Sequence, residues 1–222
     1  MFHYCERTSD GFWGEPFNAI TNLAFIIAAL LLVVRFSRLR LPMHRAFDVL
    51  LLISLLFAIG VGSFLWHTLA TPWSAWADVI PILLFISVYL LAYLIRIAAF
   101  GWLPVLGGFV LFHLFNTGLQ MLLPADTLNG SIFYLPTLVA LLMMGLYSRH
   151  RQHPEAGGLL FAGGLFILSV LLRTLDFTLC ALWPVGTHFI WHLLNAYLLF
   201  GLTGLVMTHI ATAQRQPGET VS

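Results

Sequence analysis

Apolar residues in this chain come in long runs, separated by short connectors that collect the polar and turn-forming residues. Seven runs stand out, at about 17–34, 46–69, 77–94, 101–121, 130–147, 157–175 and 187–207. Each approaches the roughly 20 residues a helix needs to cross the hydrocarbon core of a bilayer. A segment surrounded by lipid must satisfy its own backbone, so each run is predicted to be a helix. The connectors carry the expected breakers: Arg38-Leu39-Arg40-Leu41-Pro42, Thr71-Pro72, Pro124-Ala125-Asp126, His153-Pro154 and Trp183-Pro184-Val185-Gly186. The fourth run is the least clearly separated, because Gly101 follows the third so closely. Gly107-Gly108 and Gly163-Gly164 suit close helix contacts. No soluble domain interrupts the pattern. One domain is expected over 1–222, with a polar segment at 1–16 and a tail at 208–222.

Composition agrees with that reading. Hydrophobic residues make up 60% of the chain and charged ones 9%, and the mean hydropathy is +0.93. A soluble domain carries about 25% charged residues, so this surface could not be wetted all round. A net charge of +1 gives no sign of nucleic acid as a partner. All ten basic residues are arginine, a signature of a GC-rich genome. Cys5, Glu6, Asp10 and Glu15 precede the first run, where a cleavable signal peptide would have a basic start.

Arginine placement orients the bundle. With seven spans, Arg35, Arg38, Arg40, Arg45, Arg96, Arg149, Arg151 and Arg215 fall on one side, and only Arg7 and Arg173 on the other. The crowded side is expected to face the cytoplasm. The prediction is an all-α membrane protein: a seven-transmembrane helix bundle with its N-terminus outside and its C-terminus cytoplasmic. In a bacterium this means an integral multi-pass protein of the inner membrane. Cys5 and Cys180 then share the outer, oxidising side, where a disulfide is permitted. Two unpaired thiols are the alternative.

The same end gathers the polar residues of the spans. His67 closes the second run, Asp78 opens the third, and His188 and His192 open the seventh. Ionisable groups within a span are costly and mark function by default. His188 and His192 are four residues apart and so share a helix face, one turn from each other. Two such imidazoles can grip one metal ion. His67, at the same depth, would complete three His ligands, which with a water make an open, catalytic type of zinc site. Ser63 repeats the four-residue step before His67, and Asp78 returns across the Thr71-Pro72 connector. A carboxylate there can take a proton from metal-activated water and hand it to a leaving amine, and a hydroxyl can hold an oxyanion. The other histidines are read differently. His113 reads as a satisfied core group, His44, His150 and His153 as solvated loop residues, and His209 lies near the opposite end.

These residues resemble the alkaline ceramidase family, part of a wider superfamily of seven-helix membrane hydrolases that also includes the progestin and adiponectin receptors. The resemblance rests on three blocks: Cys5-Glu6 with Glu15-Pro16-Phe17-Asn18-Ala19-Ile20-Thr21-Asn22; Gly62-Ser63-Phe64-Leu65-Trp66-His67 with Asp78; and His188 through His192. It implies zinc held by His67, His188 and His192, with Asp78 as acid/base and Ser63 stabilising the oxyanion. Trp191 would line the substrate chamber; an interfacial belt is the other reading of that tryptophan. A disulfide between Cys5 and Cys180 is implied as well. The implied reaction is zinc-dependent cleavage of the amide of ceramide or a related N-acyl membrane lipid; the arginine distribution would put it at the outer side, the periplasmic one in a bacterium.

The resemblance also implies calcium as a second ion, with Glu6 and Glu15 matching two of its carboxylate ligands. Here the chain departs from the pattern. His3 stands where the family has an aspartate, the amide position falls near Thr8, and the intervening loop is shorter. Calcium prefers six to eight hard oxygens; Asp10 or backbone oxygens are candidate replacements. The alternative is a polar cap in which Glu6 pairs with Arg7 or Arg173. Asp176 reads either as an ion-pair partner of Arg173 or as an acceptor for a ligand imidazole, and Asn195 as a weaker acceptor. Two rival functions use the same residues: a non-enzymatic seven-helix lipid receptor with a structural zinc, and a proton-coupled transporter. A transporter's relay should cross the membrane, whereas these groups cluster at one end.

Overall fold

The computed structural model describes residues 4–215, which are helical with no strand among them. His3 and the end of the predicted tail, 216–222, lie outside the described residues. Among the described residues, seven helices are long and apolar enough to cross a membrane: α1 (Pro16–Leu39), α2 (Phe47–Leu69), α3 (Pro72–Ile97), α4 (Trp102–Leu122), α5 (Ser131–His150), α6 (Ala156–Leu179) and α7 (His188–Arg215). Each apolar run thus became one helix.

The α2–α3 hairpin is the most extensively packed pair, and α1 and α7 pack against α2 and each other. Helix α6 lies on α7, and α5 on α6. Leu32 of α1, Leu52 and Leu56 of α2, and Val206 and Met207 of α7 are fully buried where these helices meet. Helix α4 is peripheral and buries no residue. The outward faces are apolar too: Leu30, Leu31, Leu111, Leu114 and Leu171 are exposed. That exterior suits lipid rather than water and is consistent with an integral multi-pass membrane protein.

The turn between α2 and α3 sets the geometry of the site. Ala70 ends α2 in the left-handed conformation (φ 47°). Thr71 then caps α3 in a reciprocal capping box with Ser74, and Pro72 occupies the first turn. Pro81 lies inside α3 and has no N–H to donate to the Ala77 carbonyl four residues back. That carbonyl points at Gly62 of α2, and a Cβ on Gly62 would run into it. The two helices therefore touch backbone to backbone, beside Ser63 on one and Asp78 on the other. Gly62→Ala is expected to force them apart and cost about 1–3 kcal/mol, read as a lowered thermal midpoint of the purified protein.

At the opposite end of the hairpin, the last turn of α3 widens into a π-helix over Tyr93–Ile97. Arg96 within it makes a two-pronged ion pair with Asp48 of α2, at 2.6 and 2.7 Å. Both ends of the hairpin are thus fastened.

The N-terminal segment straps the other end of the bundle. Cys5 and Cys180 form a disulfide with a Cα–Cα distance of 5.4 Å, well inside the usual range. Asp176 reinforces the strap: one oxygen accepts the Cys5 N–H at 2.9 Å, the other the N–H groups of Thr187 and His188 at 2.7 and 3.0 Å. Asp176 therefore caps the start of α7 and is not the partner of Arg173. The Arg173 guanidinium donates instead to the Asn129 carbonyl (2.6 Å) and the Ser131 hydroxyl (3.1 Å).

Candidate metal centre

Helix α2 delivers His67 from its last turn, and α7 delivers His188 and His192 from its first two turns. One nitrogen from each of the three rings lies within 4.8 Å of the others, and all three side chains are buried. Ring centroids are 4.6–5.2 Å apart. The three imidazoles from two separate helices do converge.

Their outer partners fix which nitrogen faces inward. Nδ1 of His67 donates to Glu15 Oε2 at 2.5 Å. Nδ1 of His192 lies 2.9 Å from Thr21 Oγ1, whose own proton goes to the Phe17 carbonyl at 2.7 Å. Those partners assign the proton to Nδ1 in both residues, leaving the Nε2 lone pairs free, as a carboxylate or hydroxyl behind a metal-binding histidine does. His188 is held by its backbone N–H on Asp176 and by stacking on the Tyr4 ring, centroids 3.8 Å apart. Its Nδ1 is buried with no hydrogen-bond partner among the described residues. Such an orphan is costly, and a metal ion would satisfy it. A set of three neutral imidazoles suits zinc.

Beside the histidines, the buried Ser63 hydroxyl hydrogen-bonds the carboxylate of Asp78, with the His67 ring and the Arg173 guanidinium nearby. Ser63, His67 and Asp78 are brought together as their spacing anticipates. Trp191 turns inward, is buried, and packs on Tyr134 with centroids 4.6 Å apart. It lines a narrow apolar cleft of about 80 Å³ with Phe25, Phe85, Tyr89 and Leu202, so it is not a belt residue. Asn195, in the same cleft, donates to the Ser169 hydroxyl and the Trp191 carbonyl. A second cleft, between the ends of α3, α4 and α5, shares Leu90, Phe112, Ala140 and Met144 with the first.

A model of the family described as Ceramidase matches residues 2–221, essentially the whole chain. The chain belongs to the ceramidase family. No individually curated protein matches it. Family membership implies a hydrolase acting on a lipid substrate, and the three-histidine cluster gives that ceramidase-family chain a place for a metal.

The calcium expectation meets a different arrangement. Both oxygens of Glu6 accept backbone N–H groups at the start of α1, from Phe17 at 2.6 Å and Asn18 at 2.8 Å. Burial pushes the Glu6 carboxyl up, against the pull of those two hydrogen bonds. Glu15 gives one oxygen to Arg7 and the other to His67 and Asn18. Burial alone would raise it, but the His67, Asn18 and Arg7 contacts together hold it below the ordinary carboxylate range. Thr8 and Asp10 are exposed. Every carboxylate oxygen of Glu6 and Glu15 is already paired to a protein donor, so among the described residues these two carboxylates do not form a calcium cage. The polar-cap alternative comes closer, though it is Glu15, not Glu6, that pairs with Arg7.

Several participants were not visible in the sequence: Tyr4 against His188, Thr21 behind His192, and Arg173, whose guanidinium lies 5.4 and 5.8 Å from the rings of Tyr134 and Trp191. Their contacts join residues far apart in the chain. The one local hint was Arg173 itself, a lone charge in an apolar run.

Proposed function

We propose that this chain is a zinc-dependent intramembrane amidohydrolase, cleaving ceramide or a related N-acyl lipid to a fatty acid and a long-chain amine. The observation that carries the reading is three buried histidines beside a Ser63–Asp78 pair, with Trp191, one residue before His192, lining an apolar cleft. His67, His188 and His192 would hold the ion. Zinc bound there supplies Lewis acidity and a water acidified toward neutral pH.

The remaining steps belong to the chain's own groups. Asp78 takes on its carboxylate the proton of the water whose oxygen adds to the amide carbon, and returns it to the nitrogen of the leaving amine as the C–N bond breaks. Before that transfer, Ser63 holds the carboxylate in place. Once Asp78 is protonated it can donate to Ser63 Oγ, which frees the serine O–H to turn toward the amide oxygen as negative charge develops there. Trp191, Phe25 and Phe85 offer an apolar wall for an acyl chain, and the cleft beside α4 offers sideways entry from the bilayer. The arginine distribution supports an N-out orientation with the centre toward the outer, periplasmic side of a bacterial inner membrane.

The test is direct. Purified, zinc-loaded protein given radiolabelled ceramide and other N-acyl lipids is expected to release labelled fatty acid. Stoichiometric zinc with no release from any of these lipids would remove the hydrolase reading and leave the receptor.

A further inference from the structure

The N-terminal segment carries a buried cation that grips one metal ligand at both its backbone and its side chain. Arg7 is 5% exposed. Its Nε donates to Glu15 Oε1, while Glu15 Oε2 accepts from His67 Nδ1 at 2.5 Å. Its Nη2 donates to the carbonyl oxygen of His67 itself at 2.7 Å. That carbonyl lies in the last turn of α2, where the helix has no N–H left to offer and where a positive charge is favoured by the helix dipole. A planar fork of donors can serve a carboxylate and a neighbouring carbonyl together, as a point charge cannot. The segment is shaped for it. Cys5 is anchored to Cys180 two residues earlier, and a Cβ on Gly14 would stand 2.6 Å from the Ser9 carbonyl and 3.3 Å from Arg7 Nη1.

We propose that Arg7 is the built-in cation of this centre, a positioning residue that sets the His67 imidazole through Glu15 and makes the centre independent of calcium. The charges are consistent with this. Arg7 neutralises Glu15, Glu6 is spent on the start of α1, and a divalent ion placed among them would meet a guanidinium instead of free oxygens. Removing Arg7 would leave Glu15 an unpaired oxygen in a buried site and the His67 carbonyl without its donor. Glu15 would then be held by Asn18 alone, and would orient the imidazole and raise its basicity less well.

The inference shares His67 with the proposed reaction, but its readouts need no turnover, so it can fail while the hydrolase reading stands, and the reverse. Full-length protein in detergent is titrated with zinc against a chelating dye, and its thermal midpoint is measured with and without millimolar calcium chloride. Wild type should show the same zinc affinity and the same midpoint in both conditions. Arg7→Ala should bind zinc about 10- to 100-fold more weakly. Arg7→Lys, which keeps the charge without the fork, should fall between, and it serves as the variant if Arg7→Ala does not fold. A wild-type midpoint raised by calcium, or calcium retained stoichiometrically, would overturn the proposal. So would a folded Arg7 variant that loses thermal stability yet keeps wild-type zinc affinity, since that is what a purely structural strap would give.

Discussion

Asp78→Asn is expected to retain the metal and lose about 10²- to 10⁴-fold in turnover, the range over which a positioned acid/base contributes. The amide is nearly isosteric with the carboxylate and can still accept from Ser63, so the α2–α3 contact at Gly62 should persist. What disappears is the ability to take a proton and give it to the amine. The variant separates catalysis from structure, because a purely structural three-histidine site has no use for a proton carrier. Fatty-acid release and metal content, measured on the same preparation, check it; unchanged turnover would remove Asp78 from the mechanism.

His188→Ala is expected to have the larger effect on the metal itself. Loss of an outer partner behind a ligand typically costs 10- to 100-fold in affinity, and loss of one of three direct ligands should exceed that. The substitution also removes the stacking surface of Tyr4, 3.8 Å from the His188 ring, so some loosening of the N-terminal strap is expected with it. Since the cap on α7 uses the backbone N–H of residue 188 and not its side chain, the helix itself should survive. Elemental analysis beside wild type gives the result, with circular dichroism showing that the bundle is intact.

Much of the fold was legible because a bilayer span is written in one dimension. Each apolar run needs no distant partner to be recognised. What the runs misjudged were helix ends. Helix α1 continues to Leu39, past Arg35 and Arg38, and α7 to Arg215, since arginine is a good helix former once the chain leaves the apolar layer. Helix α3 begins at Pro72, five residues before the apolar run, because Thr71, Pro72 and Ser74 form a helix start that a hydropathy pattern ignores.

The centre was legible where chemistry repeats at helical spacing. Ser63 with His67, and His188 with His192, announce a shared face from sequence alone. The supporting shell was not. Thr21 reaches His192 across 171 residues and Arg7 reaches His67 across 60, and no local pattern encodes either meeting. Asp176 was read through its neighbour Arg173, three residues away, but burial favours the partners with the greatest need. The unpaired N–H groups at the start of α7 outcompeted a guanidinium that had a carbonyl and a hydroxyl to bind. Glu15 was recognised as important, yet its role depends on Arg7, which folds back over it.

The central claim is that one transition-metal ion, shared by His67, His188 and His192, is required for lipid amide hydrolysis. Metal analysis and labelled-lipid turnover on the same purified wild-type protein test it most directly. The account predicts about one zinc per chain, loss of fatty-acid release when the metal is stripped, and recovery when zinc is returned. Full turnover in protein that contains no transition metal would contradict it.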